Sequence, residues 1–216
     1  MAKRSGLIFV SLIFLLVCLN QVFATPVGPD ADADGIPDVF TGGQISAGGG
    51  TCVLDAKGVN CWGRNGSTSS DISSLQNPVA VSAGEFHTCA LDDNGVHCWG
   101  DNSSGQTTVP ALTNPTAVSA GGLHTCAIDA GGVKCWGDNY YGQTTVPDLS
   151  HPVVVSAGEF HTCAIDDSGV KCWGDNYYGQ TTVSALTNPT AVSAGGSHTC
   201  ALDDNGVHCW GDNSSG

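Results

Sequence analysis

Few side chains in this sequence carry charge, and very few carry positive charge. Asp, Glu, Lys and Arg make up 12% of the 216 residues, with six basic against twenty acidic, a net of -14. So acidic a surface repels phosphate backbones, which excludes nucleic acid as a natural partner. Acidity by itself is also what keeps an exported protein soluble. Long apolar runs are equally scarce. The only sustained one, Leu7 to Val17, is too short to span a bilayer as a helix of the mature chain. Low charge combined with thirty glycines suits a turn-rich β protein better than a helical one.

That single apolar run has the form of an export leader. Lys3 and Arg4 precede it, and Val22-Phe23-Ala24 supplies a cleavage site, so residues 1–24 read as a signal peptide and the mature chain begins at Thr25. Without the leader, four basic residues face twenty acidic ones, a net of -16. Lipid attachment at Cys18 ranks second, because Val17 is bulkier than such a site normally has, and an uncleaved anchor ranks third. The expected location is therefore secreted or at the cell surface, with the periplasm as the alternative compartment.

What the sequence has in quantity is cysteine in register. Cys52 and Cys61, Cys89 and Cys98, Cys126 and Cys135, Cys163 and Cys172, and Cys200 and Cys209 are five pairs of equal spacing, repeating every 37 residues. Such a period is an internal repeat. The units begin at Ile45, Val81, Val118, Val155 and Val192, so residues 45–216 form one repeat domain. The first unit is a residue short near Gly49-Gly50-Thr51, and the fifth is partial. Residues 25–44 ahead of them read as an acidic linker.

Within the second unit, Val81-Ser82-Ala83-Gly84 reads as a short strand. Thr88 to Leu91 and Val96 to Trp99 then flank Asp92-Asp93-Asn94-Gly95, a hairpin signal in which Gly95 takes the positive φ. That turn sets Leu91 opposite Val96, Ala90 opposite His97 and Cys89 opposite Cys98, and opposed cysteines in a hairpin can reach disulfide distance. Thr107-Thr108-Val109 is expected as a fourth, edge strand. Alternation puts Cys89, Leu91, Val96 and Cys98 on one side of the sheet and Ala90, His97 and Trp99 on the other. A sheet with material to bury on both sides is accommodated between two neighbours, as in a β-propeller; a β-solenoid, with shorter repeats, is the rival.

The pattern Val-Ser-Ala-Gly-x-x-His-Thr-Cys-Ala-Leu, a turn glycine, then Cys-Trp-Gly-Asp-Asn-x-x-Gly-Gln resembles the repeat of the regulator of chromosome condensation family, whose superfamily includes β-lactamase inhibitor protein II. The resemblance covers Ile45 to Gly216. It implies an all-β propeller of four complete blades and a partial fifth, expected as a fragment of a seven-bladed ring, with a five-bladed ring or closure through another chain as the alternative. The cysteine pair departs from the eukaryotic pattern and is similar to a bacterial extracellular branch with a disulfide across each hairpin. Gln106-Thr107-Thr108-Val109 also departs from the family's Gln-Leu-Gly. The nucleotide-exchange activity of the family's namesake is not carried over to an exported acidic chain.

Candidate chemistry is sparse. His87, His124, His161 and His198 each stand two residues before a cysteine, which raises zinc, but the nine-residue cysteine spacing and an oxidising compartment favour disulfides. The histidines read as packing groups with a hydrogen-bonded ring. They recur in blade after blade, whereas catalysis needs one unique cluster, so no catalytic residue is assigned. Asp30, Asp32, Asp34 and Asp38, with Gly35 between them, follow a calcium-loop spacing, although Thr41 stands where a final acidic ligand belongs. Calcium is the only cofactor expected. Asn65-Gly66-Ser67 and Asn102-Ser103-Ser104 match the glycosylation pattern, relevant only in a eukaryotic route. Among positions that vary between units, Tyr140, Tyr141, Tyr177 and Tyr178 are the candidate partner contacts, for a protein or a glycan. The expectation is a secreted binding scaffold without catalysis. An extracellular carbohydrate-active enzyme is the alternative, and a nucleotide-exchange factor a weaker one.

Overall fold

The structure, a computed structural model, describes residues 43–64 and 72–214. Five three-stranded antiparallel sheets follow one another along the chain, each a simple meander. They comprise β1 (Gln44–Ala47), β2 (Gly50–Asp55) and β3 (Gly58–Gly63); β4 (Ala80–Ala83), β5 (His87–Asp92) and β6 (Gly95–Gly100); β7 (Ala117–Ala120), β8 (His124–Asp129) and β9 (Gly132–Gly137); β10 (Val154–Ala157), β11 (His161–Asp166) and β12 (Gly169–Gly174); and β13 (Ala191–Ala194), β14 (His198–Asp203) and β15 (Gly206–Gly211). These are propeller blades, referred to below as blades 1 to 5.

The hairpin register is the one the turn chemistry dictates. Cys89 lies opposite Cys98, Ala90 opposite His97 and Leu91 opposite Val96, around a two-residue turn that Gly95 closes at φ 118°. Asn94 donates its backbone N–H to the Asp92 side chain at 2.7 Å, which tightens that turn. All five opposed cysteine pairs are disulfides. In blade 1 the link between the first two strands is shorter: Ala47 pairs with Thr51, whereas Ala83 pairs with Thr88. The residue missing from the first unit is thus lost from a turn, where removal leaves both strands in register.

Cys89, Leu91, Val96 and Cys98 pack together against Val118 and Ala120 of the following blade, so one side of each hairpin buries the first strand of its neighbour. The first strands are innermost. Their outer edge would leave backbone donors unpaired; instead Ala83, Ala120, Ala157 and Ala194 each donate an N–H to a serine hydroxyl of the preceding blade, at 2.8–3.0 Å. Gly121 lets these strands converge, because a methyl there would overlap the Gly158 carbonyl and crowd the His124 ring.

The expected fourth strand does not form. Thr107 donates its backbone N–H to the Asn102 side chain and Thr108 donates to the Gly105 carbonyl, so the donors a ladder would need are used inside a compact turn, and Pro110 has none. In blade 5, where no blade follows among the described residues, Leu202 and Val207 are exposed.

Candidate binding face

Each meander puts two kinds of loop at one end of its blade and one kind at the other. The link between first and second strands and the start of the segment leaving the third lie together: Asp101 donates its backbone N–H to the Phe86 carbonyl at 2.9 Å, and Asp138 does the same to Leu123. The tight Asp-Asp-Asn-Gly turn lies at the opposite end. Two of the stretches that vary between units, Glu85-Phe86 and Ser103-Ser104 with their counterparts, therefore share one end of the molecule, while the varying hairpin turns lie at the other. Sequence spacing kept those two stretches apart; antiparallel topology unites them.

Tyr140, Tyr141, Tyr177 and Tyr178 stand at this end. Tyr140 and Tyr177 are 82% and 83% exposed, Tyr141 and Tyr178 46% and 51%. Within each pair the rings meet edge to face, with centroids 4.8 Å apart. Tyr141 also leans on Phe160 of the next blade at 5.3 Å. Tyr178 has Ser197 in the corresponding place, and Arg64 covers Phe86 at 5.6 Å. Exposed aromatic area of this size on turns held by rigid strands is suited to recognition.

The turns are held from beneath. Gln143 is fully buried; its side-chain oxygen accepts from the Tyr141 backbone N–H at 2.9 Å and its amide donates to Asp138 at 2.9 Å. Gln180 does the same for Tyr178 and Asp175. The Gln143 carbonyl meanwhile accepts from the Trp173 indole N–H and the Thr162 hydroxyl of the next blade, both at 2.9 Å. Trp136 and Trp210 make the same bond to the Gln106 and Gln180 carbonyls, so tryptophan anchors blades 3, 4 and 5 to the turn before them. Trp99 and Trp173 are buried, whereas Trp62 of blade 1 is 55% exposed.

The repeating histidines of blades 2 to 4 are packing groups, whereas His198 of blade 5, which no blade follows among the described residues, is exposed. His87, His124 and His161 are fully buried and reach Thr125, Thr162 and Thr199 of the following blade through Nε2, at 2.7–2.9 Å. Each threonine hydroxyl donates to a carbonyl, so it accepts from Nε2–H, which fixes the neutral tautomer. Burial lowers the pKa of these rings to about 4, 3 and 4 respectively, against a small opposing pull from Asp101 on His87 and from Asp175 on His161. Their cysteine neighbours are in disulfides. Among the described residues no three His, Cys, Asp or Glu side chains are grouped to hold a metal ion.

A second polar layer at the turn end escaped the sequence reading. Asp92, Asp129, Asp166 and Asp203 are buried, and each accepts from a backbone N–H sixteen residues earlier, those of Gln76, Thr113, Ser150 and Thr187. His97, Lys134, Lys171 and His208 pair with them at 2.7–3.0 Å. Lys134 beside Asp129, with the Thr113 N–H, holds that carboxyl below the ordinary range, and the Thr187 N–H brings Asp203 down to about 2. These aspartates staple each incoming segment to its hairpin. The signal was present as an Asp three residues before every turn glycine, but it reads first as turn composition. Asp30, Asp32, Asp34 and Asp38, the leader with Cys18, and most of the linker lie outside the described residues, as does Asn65. Asn102 holds its own turn by donating to Thr108.

The description Regulator of chromosome condensation (RCC1) repeat matches residues 79–106, 116–143, 153–180 and 190–216, more than half of the sequence. The chain belongs to the RCC1-repeat family. No curated protein matches it. Among solved structures, it is similar to the CRINKLY WD40 ectodomain of the Arabidopsis thaliana receptor kinase ACR4, with 26% identity, a TM-score of 0.66, and coverage of 82% of this chain and 71% of that one. The ectodomain of the Physcomitrella patens receptor kinase CR4 matches with 26% identity and a TM-score of 0.65, over 82% of this chain and 52% of that one. The chain thus spans about half the length of that ectodomain. Yeast RCC1 (Prp20), solved bound to Kap60, shares the fold at 18% identity and a TM-score of 0.62, over 76% and 54% of the two chains.

Proposed function

We propose that this chain is an extracellular binding scaffold whose contact surface is the blade end carrying Tyr140, Tyr141, Tyr177 and Tyr178. One observation carries this reading: at this end, two stretches that differ between units meet and expose paired aromatic rings on turns pinned by buried glutamines, whereas the differing hairpin turns at the other end carry no aromatic residue. Five disulfides suit an oxidising compartment, and two similar structures are receptor ectodomains. Among the described residues, the buried histidines, threonines, serines and aspartates at the blade interfaces recur from blade to blade and serve packing, which supports binding over catalysis.

Affinity capture with the exported chain tests this reading. The partner should be lost when Tyr140, Tyr141, Tyr177 and Tyr178 are all changed to alanine, while the fold, followed by circular dichroism, stays intact. Retained binding would show the contact surface to be elsewhere. Resemblance to the family's namesake, an exchange factor, raises one competing activity, nucleotide exchange on a small GTPase. Unchanged nucleotide release across a panel of GTPases removes it.

A further inference from the structure

At the centre of the tyrosine end, the inner strands leave a cavity of about 350 Å³. Its walls are glycine and alanine, among them Gly84, Ala120 and Gly158, and its only charged lining residues are Glu85, Glu159 and Arg64. Blades 3 and 5 carry Gly122 and Gly196 where blades 2 and 4 carry the glutamates. The Glu159 carboxylate lies against the adjacent blade 5 at the rim of the cavity, since a methyl on Gly196 would sit 3.2 Å from its Oε2. Burial, and then the charge of Glu85, raise the Glu159 carboxyl above its ordinary value. Neither forms an ion pair or a side-chain hydrogen bond among the described residues.

The rest of this end has the same sign. Asp101, Asp138, Asp175 and Asp212 open the turns that follow the third strands. The lysines lie at the other end: Lys57 in the β2–β3 turn, Lys134 and Lys171 against Asp129 and Asp166. Arg64, the one basic side chain here among the described residues, is seated over the Phe86 ring, so the face already holds one guanidinium on an aromatic. A second copy of so acidic a chain would be repelled, and a neutral glycan would leave the axial carboxylates uncompensated.

Building on the contact face proposed above, we infer that it docks a protein segment rich in Lys and Arg, with one cationic side chain entering the axial cavity between Glu85 and Glu159 and its neighbours lying over the rings of Tyr140 and Tyr177. Axial carboxylates supply charge, exposed rings supply cation–π contact, and the small walls admit a long side chain.

The test is fluorescence anisotropy of the full chain with a labelled peptide of alternating Arg and Gly, beside a Glu/Gly counterpart, and calorimetry with cellohexaose. The Arg peptide should bind saturably, and Glu85→Gln with Glu159→Gln should weaken it about tenfold. Tyr140→Ala with Tyr177→Ala should weaken it as well. Asp93→Asn, Asp167→Asn and Asp204→Asn, at the opposite end, should leave it unchanged. No saturable binding, equal weakening by the opposite-end changes, or cellohexaose binding indifferent to the glutamates would overturn the inference. Loss with the tyrosine changes but not the glutamine changes removes the cationic partner and keeps the contact face. Loss with neither removes both.

Discussion

His124 and Thr162 stand on neighbouring blades with Nε2 and Oγ1 2.9 Å apart, and the same threonine hydroxyl donates to the Gln143 carbonyl at 2.9 Å. One hydroxyl therefore ties a strand of blade 3, a strand of blade 4 and the turn beneath the tyrosines. Thr162→Val keeps the shape and strands the buried His124 N–H. The expected loss is about 1–3 kcal/mol of stability, read from denaturant midpoints. The wild-type midpoint in Thr162→Val would show that the contact carries no net energy.

Acid should loosen the blades in two stages. His87, His124 and His161 have pKa values lowered from 6.5 to about 4, 3 and 4, so below pH 6.5 the unfolded chain binds protons that the folded chain refuses. Stability is complete above that value and falls as pH drops toward 4, by up to about 1.4 kcal/mol per pH unit for each histidine. The depressed aspartates act lower: what Asp129 and Asp203 contribute is present above their unfolded value near 4 and lost as pH falls through the folded one. His151, raised by Asp167, has the opposite sign, but both groups are exposed and screened. Thermal unfolding between pH 7 and 4 checks this; a flat profile would contradict neutral buried rings.

Each disulfide closes a short loop, its two cysteines standing nine positions apart in sequence. The chain-entropy estimate for such a loop is roughly 2 to 3 kcal/mol. Changing Cys126 and Cys135 together to serine should lower the melting temperature, and peptide mapping of oxidised protein should find every bridge within its own blade.

Gly121→Ala should be among the most damaging small substitutions. The added methyl overlaps the Gly158 carbonyl and meets His124 Cε1 at 2.6 Å, both parts of a fixed interface. A cost of at least about 2–3 kcal/mol is expected, whereas Tyr177→Ala at the exposed turn should change stability by less than about 0.5 kcal/mol. Comparing the two variants by chemical denaturation tests that contrast.

We propose calcium for the Asp30, Asp32, Asp34 and Asp38 loop. Terbium luminescence on the full chain should saturate and be competed by calcium, and Asp30→Asn with Asp34→Asn should abolish the signal. Unchanged luminescence in that variant would leave the run an acidic linker.

Hairpin register was legible because Gly95 and its counterparts permit one turn, and a two-residue turn sets every pairing beyond it, including Cys89 with Cys98. The fourth strand was misread because Thr107 and Thr108 have strand composition. Asn102 and Gly105 take their backbone donors first, and composition does not show where a donor is spent. The Asp92 layer was hidden for a related reason, since its partner Gln76 is defined by a fold-back and not by spacing.

By itself the sequence determined the period, the hairpins and the disulfide partners, since each follows from residues near one another along the chain. Only tertiary structure decided that Glu85, Glu159 and the four tyrosines share one end, and that His124 faces Thr162. Those relations arise from stacking one blade on the next around an axis, where residues tens of positions apart become neighbours.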